Sequence, residues 1–230
     1  MPQNEINGIL LVDKPKGFTS HDIVNKLRYV LQIKKIGHAG TLDPEATGLL
    51  IMLIGKATKS SADFLGLDKI YEVELTLGVK TSTADHTGEI LEQKEVKEFS
   101  PDAINGIINT FKGVSEQIPP MMSAKKINGK KLYVLARKGI EVERKPQKIL
   151  ISDIKVTKID LRNIWFTVHC SKGTYIRTLC EDIGGKLGCG GHMSGLRRTA
   201  IGKFKVHDAF DGHRLHREFK QEIEEKVISL

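Results

Sequence analysis

The chain has 230 residues, 36 lysines and arginines against 28 aspartates and glutamates, a formal net charge of +8 and 40% hydrophobic residues. This is ordinary for a soluble globular chain of one large domain, or a domain with a small appendage. The longest apolar run is too short to span a bilayer, MPQNEINGIL lacks a signal-peptide pattern, and three cysteines without a CxxC pair do not make a disulfide scaffold, so a cytoplasmic protein without membrane contact is expected.

NGILLVDK (7–14) reads as a short buried strand. Thr19 or Ser20 can cap a helix over 21–31, whose apolar positions Ile23, Val24, Leu27, Val30 and Leu31 recur at helical spacing. In GHAGTLDPEATGLL (37–50), Asp43 sits between Leu42 and Pro44. The proline biases Asp43 away from helical dihedrals and presents it from an extended loop. The plainer account of the same residues is an Asx-type turn entering the next strand. His38 lies five residues earlier, where its plain reading is a satisfied loop histidine, and LLIMLI (49–54) is continuous enough to be a buried strand.

KATKSSADFLGL (56–67) suggests a second helix. Tyr71, Val73, Leu75 and Leu77 alternate with Glu72, Glu74 and Thr76, the pattern of a half-buried strand. Ser100-Pro101-Asp102 opens a helix with Ile104, Ile107, Ile108 and Phe111 as its stripe, and Pro119-Pro120 breaks the chain. Leu132 to Lys138 suits a short helix, 148–160 and 163–170 two strands around Leu161-Arg162-Asn163, and Thr174 to Leu187 a helix after Gly173. GGKLGCGGH (184–192) lacks any nucleotide-binding glycine spacing and reads as a helix end and turn. Residues 200–206 suggest a last core strand, and Leu215, Phe219, Ile223 and Val227 a C-terminal amphipathic helix over about 213–229. Strands and helices without βαβ alternation give the class α+β.

Charge is concentrated in one place. Lys125, Lys126, Lys130, Lys131, Arg137, Lys138, Arg144 and Lys145 are opposed in that segment by Glu141 and Glu143. A solvated face is the ordinary reading of a charge run; this density favours a nucleic-acid surface. Cys189 and His192 have ligand-like spacing, but one pair cannot close a zinc site, so no metal is expected.

GHAGTLDPEATGLL resembles the catalytic motif of the TruB family, bacterial synthases that make pseudouridine 55 in the T-arm of tRNA. DKPKGFTSHDIV (13–24), KIYEVELTLG (69–78), QIPPMMSAKKINGKKLYVLARKG (117–139), CSKGTYIRTLCEDIG (170–184) and LRRTAIGKF (196–204) follow in the family's order. The resemblance runs from about residue 8 to about residue 206. It implies a pseudouridine-synthase fold, a central mixed or antiparallel sheet flanked by helices, forming one catalytic domain over 1–230 with a basic RNA-binding thumb at about 120–147. It assigns Asp43 as the essential catalytic residue; attack on the sugar C1′, addition to uracil C6 and abstraction of a sugar proton all stay open to it. Arg177 is its ionic partner, and Tyr71 stacks on the flipped uracil. Tyr175 and Leu196 line the pocket, and Lys14 with Pro15 supports the catalytic loop. His38 wedges into the T-loop, and the thumb cations hold phosphates. The implied partner is the tRNA T-arm stem-loop, bound by a monomer with no obligate protein partner and no cofactor.

Two features depart from the family. Met122 stands where the family usually has tyrosine, which removes a thumb interaction. About 25 residues after Val206 cannot make the small RNA-binding PUA domain that relatives often carry. Two other classes fit parts of the chain: a non-catalytic tRNA-binding or tRNA-folding module, and a glycosidase-like hydrolase, for which Glu45 or Asp85 would have to serve as second acid.

Overall fold

The computed structural model describes residues 6–230 except 124 and 128; residues 1–5, part of the segment read for a leader, lie outside the described residues. In chain order the elements are β1 (Gly8–Lys14), α1 (Ser20–Leu31), β2 (Ile36–Ala39), β3 (Thr47–Ile54), α2 (Ser61–Gly66), β4 (Lys69–Leu77), β5 (Val79–Thr81), β6 (Ile90–Gln93), α3 (Pro101–Asn109), β7 (Gly113–Gln117), β8 (Lys126–Ile127), β9 (Lys130–Lys131), α4 (Leu132–Ala136), β10 (Gln147–Asp160), β11 (Asn163–Cys170), α5 (Ile176–Lys186), β12 (Gly191–Ile201), β13 (Phe204–Lys205), β14 (Phe210–Asp211) and α6 (Lys220–Glu225). The α+β class holds: a large mixed sheet is flanked by helices. The fold groups into two compact units, one of residues up to Tyr71 with Leu196–Leu230, the other Glu72–Gly195.

In the first unit β3 is central. It pairs antiparallel with β1 and β2 and parallel with β12, while β14 lies parallel to β1. The apolar run of β3 is continuous because both faces are covered. Leu50, Met52 and Ile54 join Leu10 and Val12 beneath α1, with Ile23, Leu27 and Val30. Leu49, Ile51 and Leu53 join Ile9 and Leu11 on the other face, against Ala57, Phe64 and Ile201. Thr19 caps α1 through a reciprocal box with Asp22. The 56–67 helix is a 3-10 turn, Gly55–Ser60, running into α2.

In the second unit the long hairpin β10–β11 carries β7 on one side. Ser100 caps α3 as read, and Ile104 and Ile108 are its buried positions. The glycine cluster is a helix end and turn, but it also starts a strand that the sequence reading missed. β12 begins at Gly191, not near residue 200. A Cβ on Gly184 of α5 would lie 2.3 Å from the Gly191 amide nitrogen, so only glycine permits this close crossing.

The C-terminal helix is shorter than its periodicity predicts. Only Lys220–Glu225 is α-helical, preceded by 3-10 turns at Gly212–Arg214 and Arg217–Phe219. Two interactions hold the backbone out of the helix: Asp211 accepts the His213 amide at 2.8 Å, and Gly212 is pressed against Pro15 and the Asp13 carbonyl. No helix among the described residues is long and apolar enough to cross a membrane.

Candidate active site

Asp43 occupies the first position of a tight turn between β2 and β3. The Ala46 amide donates to the Asp43 carbonyl at 3.1 Å, with Pro44 and Glu45 at the centre. Proline's fixed φ suits the first central place, so the plain turn and the presented carboxylate are the same object.

The turn is anchored on both sides of Asp43. Before it, the Ser20 hydroxyl accepts the Leu42 amide at 2.9 Å and donates to the Leu42 carbonyl at 3.2 Å. After it, the Pro44 carbonyl accepts from the Gly17 amide at 2.9 Å and from Lys14 Nζ at 3.1 Å. Lys14 Nζ also donates to the carbonyls of Pro15 at 2.9 Å and Phe18 at 2.7 Å. Lys14 is 0% exposed. Burial pulls its pKa from 10.5 down to about 8; the charges of Asp43 and Glu45 push it back up, and Arg198 adds to the lowering.

A second buried cation supports the same region. Lys14 lies opposite Gly48 of β3, and Gly48 lies opposite Arg198 of β12. Arg198, 1% exposed, donates from Nε to the Leu49 carbonyl at 2.7 Å and from Nη2 to the Gly40 carbonyl at 3.0 Å. Gly48 has φ +103°, and a Cβ there would lie 2.3 Å from the Arg198 carbonyl oxygen, so the strand can pass only as glycine. Next to it, Arg197 grips Asp13 with both Nη atoms, at 3.0 and 2.6 Å. The Asp43 turn thus hangs from backbone carbonyls gathered by two buried cations and one serine.

The other first-unit residues singled out from the sequence are placed as follows. Pro15 is buried beside Lys14. His38 lies on β2 opposite Met52, not in a loop, because the short strand pairs with β3 up to Ala39. Tyr71 is on the buried face of β4, and Leu196 is half-buried on β12.

In the second unit, Arg177 sits in the first turn of α5, as read. Its Nη1 donates to the Thr83 carbonyl at 3.2 Å and lies 3.6 Å from Asp85 Oδ2; its Nη2 donates to the Met122 carbonyl at 2.6 Å. The Asp85 Oδ1 accepts from the hydroxyls of Thr83 and Thr87 at 2.7 and 2.6 Å and from the Thr87 amide at 3.0 Å. Tyr175 immediately precedes α5, and the buried Gln117 amide clamps its backbone, accepting its N–H at 2.8 Å and donating to its carbonyl at 3.0 Å.

The basic segment is a small β8–β9 hairpin followed by α4. Its cations are not equivalent. Lys126, Lys130, Lys131, Arg137, Lys138 and Lys145 are exposed. Lys125 donates to Gln147 Oε1 at 3.0 Å, and Arg144 is engaged with the Pro119 carbonyl at 3.2 Å and Glu141 at 3.0 Å. Lys131 and Arg137 both lie 5.5 Å from the Tyr133 ring centre.

Ser20, read from the sequence only as a possible helix cap, and Asp85, read only as a possible second acid, take other roles here, and Arg198 and Gln117 were passed over. A usable signal existed for Asp85, in the Thr83-x-Asp85-x-Thr87 pattern of a carboxylate wrapped by hydroxyls. Cys180 and Cys189 are buried thiols whose pKa values burial pushes up. Among the described residues no group of three or more His, Cys, Asp and Glu side chains is arranged to hold a metal ion.

With this geometry in hand, the chain can be set against known proteins. A family model described as TruB family pseudouridylate synthase (N terminal domain) matches residues 28–176. One described as tRNA pseudouridylate synthase B C-terminal domain matches 177–229. A tRNA pseudouridine synthase B of Opitutus terrae is 48% identical over 227 residues, 99% of this chain and 94% of its own length. That of Bacillus subtilis is 50% identical over 211 residues, 89% of this chain and 68% of its own. Among solved structures, a chain from the crystal structure of a Cbf5-Nop10-Gar1 complex superposes with a TM-score of 0.77 at 29% identity. The match covers 97% of this chain and 60% of that one.

Proposed function

The chain belongs to the TruB family of pseudouridylate synthases, and on that premise we propose that it converts uridine 55 in the T-arm of tRNA to pseudouridine, with Asp43 as the catalytic carboxylate. The family's reaction is an isomerisation. The bond from uracil N1 to the sugar C1′ breaks, a bond from C5 to C1′ forms, and the C5 proton is lost as N1 gains one. Atoms and electrons balance without an oxidant, a reductant or a second substrate.

One observation carries the assignment: the backbone on each side of Asp43 is bonded to fixed points. Ser20 holds Leu42, and Lys14 with Gly17 holds Pro44. A reactive carboxylate works only if its position is set before substrate arrives, because orientation supplies much of the rate. Arg177 is a second residue required for the reaction, its guanidinium oriented by Thr83, Met122 and Asp85. The family resemblance assigns contacts with the base to Tyr71, Tyr175 and Leu196.

The target base must leave the stack before chemistry, at a cost of a few kcal/mol. His38 fills the vacated place in the T-loop, and the exposed thumb cations hold phosphates, positioning the RNA without reading its sequence. Specificity follows from the folded shape of the T-arm.

The test is to incubate unmodified tRNA with the protein and map pseudouridine. The expected result is a single new pseudouridine at position 55. Tight tRNA binding without any pseudouridine would overturn the proposal in favour of an RNA-binding module.

A further inference from the structure

A cavity of about 990 Å³ opens on the first unit, at the end of β3 opposite to the Asp43 turn. Lys34 and Lys35 reach it from the segment before β2, Lys56 from the 3-10 turn after β3, and Lys220 from α6. Glu224 is the one carboxylate in its lining. It stands 3.6 Å from Lys220, which leaves Lys34, Lys35 and Lys56 as exposed ammonium groups without an acidic neighbour among the described lining residues.

The backbone beneath these lysines is fixed. The Asn7 side-chain oxygen accepts the Lys56 amide at 2.7 Å, and the Gly55 amide donates to the Lys35 carbonyl at 2.8 Å. Gly55 has φ +62°, and a Cβ there would lie 2.3 Å from the Asn7 oxygen. Lys35 and Lys56 therefore leave the protein from one rigid crossing of two chain segments.

We propose that this cleft is a second RNA-binding surface, one that takes backbone phosphates of the substrate RNA outside the T-arm; this rests on the tRNA-modifying reading given above. The chemistry of the lining decides the class of ligand. It contains no aromatic side chain, so it offers no platform for unstacked bases. It contains no arginine, so it offers no planar fork for a single anionic group. Clustered flexible point charges over a long open cleft suit phosphates of a helical backbone, recognised without sequence.

Position along the strand argues for RNA beyond the T-arm. β3 runs from Thr47, next to the Asp43 turn, to Ile54, next to Gly55. Seven steps at roughly 3.3 Å put the two ends about 23 Å apart. A nucleotide seated at Asp43 and a phosphate seated at Lys56 are thus well separated parts of the substrate.

The test compares full-length tRNA with the isolated T-arm stem-loop, using the triple variant Lys34→Ala, Lys35→Ala, Lys56→Ala. For tRNA, the slope of log affinity against log salt should flatten by about 0.7–0.9 for each phosphate no longer neutralised. For the stem-loop, affinity and single-turnover conversion should stay at wild-type values. The triple Lys→Arg variant, which keeps the charges, should restore the slope. An unchanged tRNA slope in the alanine variant would overturn the proposal and leave the cleft to an acidic protein or to solvent. Equal weakening for both RNAs would also overturn it, by moving the bound phosphates into the T-arm. Failure of the wild-type protein to bind or convert either RNA would instead overturn the functional reading beneath it.

Discussion

Ser20 holds Leu42 by both of its backbone polar groups, the hydroxyl accepting the amide at 2.9 Å and donating to the carbonyl at 3.2 Å. Leu42 is 3% exposed, so water cannot replace either bond. Ser20→Ala should cost about 2 kcal/mol of folding stability, in the range for buried groups left unsatisfied. It should also slow single-turnover pseudouridine formation, because Asp43 is the next residue. Urea unfolding and single-turnover rates measure the two effects. Wild-type values for both would show that the clamp is idle.

Lys14 gives a pH dependence whose sign can be worked out. Its pKa is about 8 in the folded chain against 10.5 for an ordinary lysine. Below pH 8 both folded and unfolded chains carry the proton, and the cost of burying the ammonium is present in full. Between 8 and 10.5 the unfolded chain binds more protons, so this group's contribution to stability rises with pH. The anchoring of the turn goes the other way. A neutral amine has two N–H groups for the three carbonyls of Pro15, Phe18 and Pro44. A Lys14 Nζ titration followed by NMR should show a midpoint near 8, with amide exchange in residues 42–46 faster above it. A midpoint near 10.5 would contradict the burial argument.

The ion pair of Arg177 and Asp85 is buried, with side chains 7% and 11% exposed. Removing the carboxylate takes a buried counter-charge away from the guanidinium, which keeps its bonds to the Thr83 and Met122 carbonyls. Asp85→Ala should therefore destabilise by about 3 kcal/mol, at the lower end for a broken buried pair. Arg177→Lys should keep the charge and lose the fork, since a single Nζ on a shorter side chain replaces two separated nitrogens, Nη1 facing Thr83 and Asp85 and Nη2 facing Met122. Thermal unfolding of both variants beside single-turnover rates separates the roles. Asp85→Ala should lower both, and Arg177→Lys should lower the rate much more than the stability.

The basic thumb should divide by what its side chains already hold. Lys126, Lys130 and Lys131 are exposed, whereas Lys125 is engaged with Gln147, whose amide donates to the Gly173 carbonyl at 2.7 Å. Replacing the first three by alanine should flatten the salt slope of tRNA binding by about 0.7–0.9 for each phosphate no longer neutralised. Lys125→Ala should change the slope less. The reverse order in filter-binding titrations across a salt series would place the phosphates at Lys125 and make the exposed lysines solvated charge.

Much of this was legible in the sequence. Strands such as β3 and β4 announced themselves because periodicity and burial coincide there: a two-sided core gives a continuous apolar run, a one-sided core gives alternation. The turn at Asp43 was legible because a proline beside a carboxylate restricts the backbone. The anchors were not. Ser20 stands next to Thr19 at a helix start, and both residue types cap helices; only the fold shows that Thr19 caps while Ser20 reaches Leu42. Arg198 in LRRTAIGKF has no neighbour in sequence that signals its role, yet it is a buried strut, because its guanidinium meets carbonyls from residues 149 and 158 positions away. Long-range partners of that kind leave no local pattern. β12 was misjudged for a related reason: its glycines look like a turn, and their second role, letting α5 cross close by, depends on a partner element.

The central claim is that Asp43 is the reacting carboxylate of a tRNA pseudouridine synthase, and Asp43→Asn tests it most directly. Asparagine keeps the side-chain size and the turn proline, and the backbone bonds from Ser20, Gly17 and Lys14 do not involve the carboxyl group. The measurement is single-turnover conversion of a T-arm stem-loop, taken with the dissociation constant and the unfolding curve of the same preparation. The account predicts no detectable pseudouridine, near wild-type RNA affinity and a normally folded protein. Conversion at near wild-type rate would contradict it, and loss of folding and binding together would return Asp43 to the role of a turn residue.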